Sequence, residues 1–185
     1  MPRNFMSIIA MLSLVVLFLG GCVFSKESFV PVKYYDIGNP DPAKFSKISL
    51  KPGVFTVTGP YKQEMVRRSE KNELVMEPYS KWAIAPDVML KRYLKMAFAD
   101  GGGEVEYAIT GNILAFEADR QEAVLTVEYR ITSSVPSDRA CVEKTSTFRK
   151  KIEGSGAGAF AEAMAGAVAD FAGSIAAESK KPRIQ

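Results

Sequence analysis

The sequence contains no histidine. Histidine is the commonest general base near neutral pH and the commonest protein ligand for metals, so its absence leaves carboxylates and lysines as the groups suited to proton transfer. The carboxylates do not form a clustered pair that could divide the roles of acid and base. We therefore expect neither an enzyme nor a metal site, and we expect no cofactor.

Cysteine is almost as scarce, since the chain has only Cys22 and Cys141. If Cys22 carries a lipid, as its surroundings indicate below, Cys141 has no partner in the chain and a structural disulfide is not expected. A nucleophilic role for Cys141 would need a base nearby. We expect Cys141 to be a small buried apolar residue.

A large excess of charge of either sign is also missing, because 24 Lys and Arg residues are balanced by 21 Asp and Glu residues. The formal net charge of +3 does not indicate a nucleic acid or an acidic polymer as a partner. Short basic clusters do occur, for example Arg67 with Arg68, and Arg149 with Lys150 and Lys151. We expect each to be a solvated face, with a contact to anionic lipid or an acidic partner as the alternative.

The N-terminal residues have the layout of a secretory signal. One positive charge, Arg3, precedes an apolar run of twelve residues from Ile8 to Leu19. Twelve helical residues reach about 18 Å, which is short of the roughly 30 Å hydrocarbon core of a bilayer. The alternative is an uncleaved single-pass anchor, in which the whole apolar segment from Phe5 to Phe24 spans the membrane.

The apolar run ends in a tetrapeptide, Leu19, Gly20, Gly21 and Cys22, that resembles a bacterial lipobox. In a lipobox the thiol is acylated and the chain is cut just before it. We therefore predict that residues 1–21 are a signal peptide and that Cys22 holds membrane lipid. Residues 22–33 are then a linker to a single domain at 34–181. Val23 follows the cysteine, whereas Asp at that position usually means retention in the inner membrane in the lipoproteins that this N-terminus resembles. This predicts an outer-membrane protein facing the periplasm.

The hydrophobic pattern beyond the linker predicts one domain of strands and helices, with antiparallel pairing of neighbouring strands and two main helices. Extended segments are expected at 34–37, 47–58, 105–113, 125–131 and 142–152, with two weaker ones near 65–66 and 74–76. A polar connection at 117–121 should join two of these strands into a hairpin. The last strand is charged, which is typical of a sheet edge.

The first helix is expected after Pro86, which is tolerated in a first helical turn. Its apolar stripe includes Leu90, Tyr93 and Leu94. We expect the glycines at 101–103 to end this helix, because glycine readily takes the left-handed conformation of a C-cap.

The second helix is expected at residues 157–178. Its apolar stripe consists of Phe160, Met164, Val168, Phe171 and Ile175. Acidic residues also occur along this segment, and each would be costly in hydrocarbon. We therefore expect it to cover a sheet face and not to span a membrane.

A glycine-rich segment at 154–159 satisfies the G-x-G-x-x-G/A pattern of nucleotide-binding loops. That pattern needs a further strand after the helix to complete its βαβ unit, and only 26 residues follow Ala159. We expect a flexible joint between a strand and a helix. Trp82, the only tryptophan, either anchors a partner surface or packs in the core.

Several short matches occur in an order that resembles a known family. They are Tyr34-Tyr35, Pro60-Tyr61, Val66-Arg67, Asn72-Glu73-Leu74 and Trp82-Ala83, followed by the helix after Pro86. The chain resembles the ABC-type transport auxiliary lipoproteins of the paraquat-inducible protein C type.

The resemblance is incomplete at two points. Lys81 is found where that family has arginine, and Ile84-Ala85-Pro86 replaces its Glu-Pro. No contact of the family's arginine or glutamate is therefore transferred. From the matching positions we take Tyr61, Arg67 and Trp82 as a signature of either partner contact or the core.

The resemblance implies an α/β (α+β) fold, in which two main helices pack on a mixed, largely antiparallel sheet. It also implies a non-catalytic outer-membrane lipoprotein. Such a protein works with mammalian-cell-entry domain proteins and with an ABC permease and ATPase to move lipids between two membranes. The resemblance leaves the oligomeric state open, including a homo-oligomer. The alternative is a lipid-binding carrier or a lipoprotein of the lipopolysaccharide-assembly type.

Overall fold

The computed structural model describes residues 29–45, 48–99, 101–102, 106–133 and 141–179. The chain divides into two units between Pro31 and Val32, and the second unit is one α+β domain. Its strands are β1 (Lys33–Tyr35), β2 (Ser49–Val57), β3 (Glu64–Arg68), β4 (Leu74–Trp82), β5 (Glu106–Asp119), β6 (Glu122–Ser133) and β7 (Cys141–Lys151). Its helices are α1 (Pro86–Ala97) and α2 (Gly156–Ser179), and a short 3-10 helix covers Pro42–Lys44.

The seven strands form one mixed sheet in the order β1-β4-β3-β5-β6-β7, with β2 added on β5. The long pairings β5–β6 and β6–β7 are antiparallel, as is β3–β4. The pairings β1–β4, β2–β5 and β3–β5 are parallel. The expected mixed, largely antiparallel sheet with two helices is confirmed, and β7 is an edge strand as its charge predicted.

Both helices pack on the same face of this sheet. Helix α1 contacts β2 and β5, and α2 contacts β6, β7 and β1. The buried side chains between helices and sheet include Ile109 and Ile113 on β5, Val127 and Ile131 on β6, and Phe171 on α2. The opposite face of β5 and β6 carries side chains such as Thr110, Glu128 and Arg130, and these three residues are exposed. The core therefore lies between one sheet face and the two helices.

The β5–β6 hairpin forms as expected, but its turn is shorter than the sequence indicated. Strand β5 continues to Asp119, and only Arg120 and Gln121 form the turn, with Arg120 at a φ of 54°. Glu117, which the polarity of this segment assigned to a loop, pairs with Val124 of β6. The prediction of a connection over 117–121 was wrong, because charged residues at a strand end were taken for a turn.

Helix α1 buries its predicted stripe, but glycine does not cap it. The helix ends at Ala97, and the N–H of Phe98 donates to the carbonyl of Leu94. A Cβ built on Gly101 would lie 1.8 Å from the carbonyl oxygen of Ile48. Glycine is needed there for a close approach of two backbones, and its conformational freedom is not what ends the helix.

Helix α2 has the length and composition of a membrane-spanning segment, with 24 residues and a mean hydropathy of 1.2 over its most apolar window. In the structure 56% of that window is buried. Glu178 in its last turn accepts hydrogen bonds from the Tyr129 hydroxyl at 2.9 Å and the Lys144 ammonium at 2.8 Å. These contacts make α2 a core helix that covers the sheet, as the sequence predicted.

Candidate functional site

Tyr61, Arg68 and Glu117 form a cluster on the sheet face away from the helices. Glu117 lies on β5 between two residues that face the core, and its side chain is directed the other way. The Tyr61 hydroxyl donates to Oε2 of Glu117 at 2.5 Å. Arg68 donates to the same carboxylate through Nε at 2.5 Å and through Nη2 at 3.0 Å. Glu117 is only 3% exposed, so these three hydrogen bonds compensate for the buried charge.

Two groups of this cluster, the Tyr61 hydroxyl and the Arg68 guanidinium, stay protonated near neutral pH. Burial, followed by the neighbouring Glu117 carboxylate, raises the pKa of the Tyr61 hydroxyl far above its usual range. The hydrogen bond to Glu117 also raises the pKa of the Arg68 guanidinium. Because both groups keep their protons, neither is suited to proton transfer. The arrangement instead attaches the segment between β2 and β3 to the end of β5.

Arg67, the arginine chosen from the sequence pattern, does not join this cluster. Successive residues of a strand point to opposite faces, so Arg67 lies on the helix side, where its Nε is 3.3 Å from Oε1 of Glu77. Together with Phe160, both line a cavity of about 180 Å³. The structure therefore brings Tyr61 together with Arg68 and separates both from Arg67.

Trp82 is fully buried in the core. Its ring centroid lies 5.0 Å from that of Phe116 on β5 and 5.4 Å from that of Phe160 on α2, both in edge-to-face geometry. Aromatic pairs in this arrangement stabilise a core beyond the area they bury. Of the two alternatives for Trp82, the structure places it in the core, where it joins β4 to the start of α2.

The glycine-rich segment lies at the junction of β7 and α2, beside a cavity of about 440 Å³. Arg67, Arg120 and Lys151 line the cavity with the start of α2. Two of these cations already have partners, because Arg67 pairs with Glu77 and Lys151 pairs with Glu153 at 3.2 Å. Strand β7 pairs only with β6, in antiparallel fashion, so the described chain lacks the parallel βαβ unit of a dinucleotide site.

Other predicted site residues lie outside the described ranges. The lipobox residues Leu19, Gly20, Gly21 and Cys22 are among them, so lipidation stays a prediction. Cys141 begins β7 opposite Thr132. Within the described ranges, no group of three or more Cys, Asp or Glu side chains is arranged to hold a metal ion.

The sequence pattern did not indicate Glu117 as a site residue, and it favoured Arg67 where the structure has Arg68. A signal was present, since Phe116 and Ala118 both face the core and Glu117 lies between them. A register shift between Ile113 and Ala115 breaks the alternation just before this point. That irregularity hid the last part of the strand from a period-two pattern.

The profile of one protein family, described as the ABC-type transport auxiliary lipoprotein component, matches residues 61–176. The chain belongs to this family. The matched region begins at Tyr61 and contains the Tyr61 cluster, Trp82 and nearly all of α2. Membership makes the protein an auxiliary lipoprotein component of a transport system, which implies association with an ABC transporter and a membrane-anchored location.

Two solved structures share the fold of this ABC-type transport auxiliary lipoprotein. An uncharacterized protein aligns with a TM-score of 0.67 at 13% identity, covering 81% of this chain and 99% of its own. Protein XCC0632 from Xanthomonas campestris, of the DUF330 family, aligns with a TM-score of 0.62 at 18% identity. That alignment covers 80% of this chain and 97% of the Xanthomonas chain. No curated protein matches the chain significantly.

Proposed function

We propose that this auxiliary lipoprotein is a non-catalytic periplasmic subunit of an intermembrane lipid transport system. In this proposal the lipid on Cys22 holds the domain at the outer membrane. The domain docks the transport tube, which is built by a mammalian-cell-entry domain protein and supplied by an ABC permease and ATPase. The observation that carries the proposal is the family match over residues 61–176, preceded by the lipobox pattern at Leu19 to Cys22.

The chemistry of the described side chains supports a role without catalysis. The buried Tyr61 and the partly exposed Arg68 keep their protons near neutral pH, and both donate hydrogen bonds to Glu117. The cations that line the cavity beside α2 are in part paired with acidic side chains. Neither arrangement offers a proton donor and acceptor set for turnover.

Lipidation is tested with the two cysteines of the chain. We expect the full chain, expressed in bacteria with labelled palmitate, to incorporate the label at Cys22. Cys22→Ser should abolish incorporation, and Cys141→Ser is the matched control that should keep it. A Cys22→Ser protein that still carries label would contradict the anchor.

Docking is tested by affinity capture of the mature lipoprotein from detergent extracts. We expect a mammalian-cell-entry domain protein among the captured proteins. Recovery of an unrelated envelope machine alone would count against the proposal. Native mass spectrometry of the same preparation tests the carrier alternative, because a carrier would retain a bound lipid in addition to the one attached at Cys22.

A further inference from the structure

We propose that an exposed apolar patch at the start of the domain rests on the membrane surface to which Cys22 is anchored. The patch, here called the entry patch, consists of Val32, Tyr34 and Tyr79 with Lys81 beside them. The proposal rests on the lipid anchor of the proposed function. It adds the part of the domain that meets the lipid.

Tyr34 and Tyr79 of the entry patch occupy neighbouring positions on paired strands, and Val32 directly precedes β1. β1 and β4 are parallel, with Lys33 opposite Ser80 and Tyr34 opposite Lys81. Tyr79 therefore lies diagonally beside Tyr34. Tyr34 is 64% exposed, Tyr79 51% and Val32 39%.

The exposed tyrosines are unusual for their side of the sheet. Their neighbours Tyr35 and Trp82 face the core, so Tyr34 and Lys81 lie on the face without helices. Farther along the sheet, around Thr110, Glu128 and Arg130, that face carries mostly polar side chains, with Val54 of β2 as an exposed apolar one. Large apolar side chains at the β1–β4 end of the same face therefore indicate a covered surface.

The tether brings this end of the sheet to the membrane. Only ten residues, 23–32, separate Cys22 from Lys33. At roughly 3.5 Å per residue their reach is at most about 35–40 Å. The bilayer is therefore always within reach of the entry patch, and a weak surface contact is strengthened by the high effective concentration.

The side chains suit the interface between lipid headgroups and water. A tyrosine ring is apolar at its body and polar at its hydroxyl, which fits the headgroup region. Lys81 lies on the same face as Tyr34 and can approach anionic headgroups. Lys81 is 3.6 Å from Glu64, the acidic group next to the patch, so its charge is partly balanced.

The contact is tested by tryptophan reporters in the full lipidated chain. Tyr34→Trp and Tyr79→Trp place a reporter in the patch, and Val88→Trp places the matched control on α1, where Val88 is 52% exposed. Each protein is reconstituted into vesicles of phosphatidylethanolamine and phosphatidylglycerol doped with brominated phosphatidylcholine. The buried Trp82 contributes the same background to all three proteins.

We expect the brominated lipid to remove most of the added emission of both patch reporters and little of the emission of Val88→Trp. Vesicle flotation of the same samples reports the anchor separately. If the protein floats with the vesicles but the brominated lipid does not quench the patch reporters more than Val88→Trp, the entry-patch proposal is overturned and the anchor is left intact. Protein that fails to float would overturn both. If the emission of the patch tryptophans responds only when a partner protein is added, the patch binds that protein and the proposal is overturned.

Discussion

At the residue scale, the side chain of Glu117 connects the β2–β3 segment to the sheet. We expect Glu117→Gln to lower the free energy of unfolding by about 2 kcal/mol, because Arg68 loses its ion partner and the buried hydrogen bonds weaken. Tyr61→Phe should cost about 1 kcal/mol, since it removes one donor and leaves the Arg68 pair in place. Urea unfolding followed by the fluorescence of buried Trp82 measures both.

The control for this cluster is an exposed ion pair. Lys51 lies 2.7 Å from Glu106, but its side chain is 73% exposed. Lys51→Met should therefore change the free energy of unfolding by less than about 1 kcal/mol. Equal losses for Glu117→Gln and Lys51→Met would contradict a structural role for the buried cluster.

The pair of Asp36 and Arg92 gives a prediction on pH. Burial acts to raise the pKa of Asp36, but the Arg92 guanidinium and the N–H of Gly38 outweigh it and hold that pKa below its ordinary value. A lowered folded-state pKa means that the pair stabilises the fold above about pH 3.9, and the effect is lost as the pH falls through the folded-state pKa. Both side chains are more than a third exposed, so the gain is about 1 kcal/mol or less.

We expect Arg92→Met to be less stable than the wild type at about pH 7, with the difference shrinking as the pH falls below about 3.9 and through the folded-state pKa of Asp36. Chemical unfolding of both proteins across this range measures it. Lys91→Met is the control, because Lys91 precedes Arg92 on α1 and has no ion partner within the described ranges. A difference between wild type and Arg92→Met that persists unchanged at low pH would contradict the assignment.

Single residues were harder to place from the sequence than the elements that carry them. The sequence pattern selected Arg67, whereas the buried carboxylate binds Arg68. Neighbouring arginines differ only in the face to which they point, and that depends on the register of β3 against β5. This register is set by contacts across the sheet, so the local sequence does not predict which arginine faces Glu117.

At the element scale, the path after α1 depends on a close contact between two backbones. Gly101→Ala would place a Cβ 1.8 Å from the carbonyl oxygen of Ile48, which is backbone and cannot rotate away. We expect a loss of about 2–3 kcal/mol in the free energy of unfolding, as for other overpacked sites. Gly102→Ala is the matched control, since no atom beyond those of its two chain neighbours lies within 4 Å of the Cβ that it would add.

Thermal unfolding of the two alanine variants, recorded side by side, distinguishes a flexible C-cap at Gly101 from a close backbone contact of Gly101 with Ile48. If Gly101 served as a flexible C-cap, as the sequence indicated, the two variants would be similar. If the close approach to Ile48 governs, only Gly101→Ala is destabilised. A destabilised Gly102→Ala beside an unaffected Gly101→Ala would contradict the geometry.

The elements with a regular pattern were the ones that sequence identified. The stripe of α2 and the alternation in β6 each extend over most of their element, and both are buried as expected. Strand β4 was recognised only in part, because its pairing with β3 is irregular. Glu64 of β3 pairs with Lys81 of β4 and Val66 pairs with Met76, so the register shifts between them. An irregular strand lacks the periodicity by which a sequence reveals it.

At the scale of the whole molecule, the order of the strands depends on contacts between distant segments. β5 pairs with β2 at one end and with β3 at the other, and both pairings are parallel. Neighbouring strands along the chain often form hairpins, which is why β5–β6 was predictable. The sequence indicated the layers of the fold, whereas the parallel pairings become visible only in the structure.

The N-terminal lipid, and not helix α2, should hold the protein at a membrane. Met164, Val168 and Phe171 of α2 are fully buried, so the helix has no free apolar stripe with which to cross a bilayer. Residues 32–179 contain the whole described core, and this part of the chain forms its own compact unit. We expect a chain in which a cleavable secretory signal replaces residues 1–22 to appear in the soluble periplasmic fraction of a bacterial host.

The wild-type chain is the control and should remain with the membranes through an alkaline wash, because the acyl chains proposed at Cys22 would hold it there. The same wash removes a weak surface contact such as that proposed for the entry patch. If the chain with the replaced signal stays with the membranes through the wash, α2 must leave the sheet and insert into lipid. The buried contacts of Glu178 with Tyr129 and Lys144 oppose such a change, since insertion would leave a carboxylate in hydrocarbon.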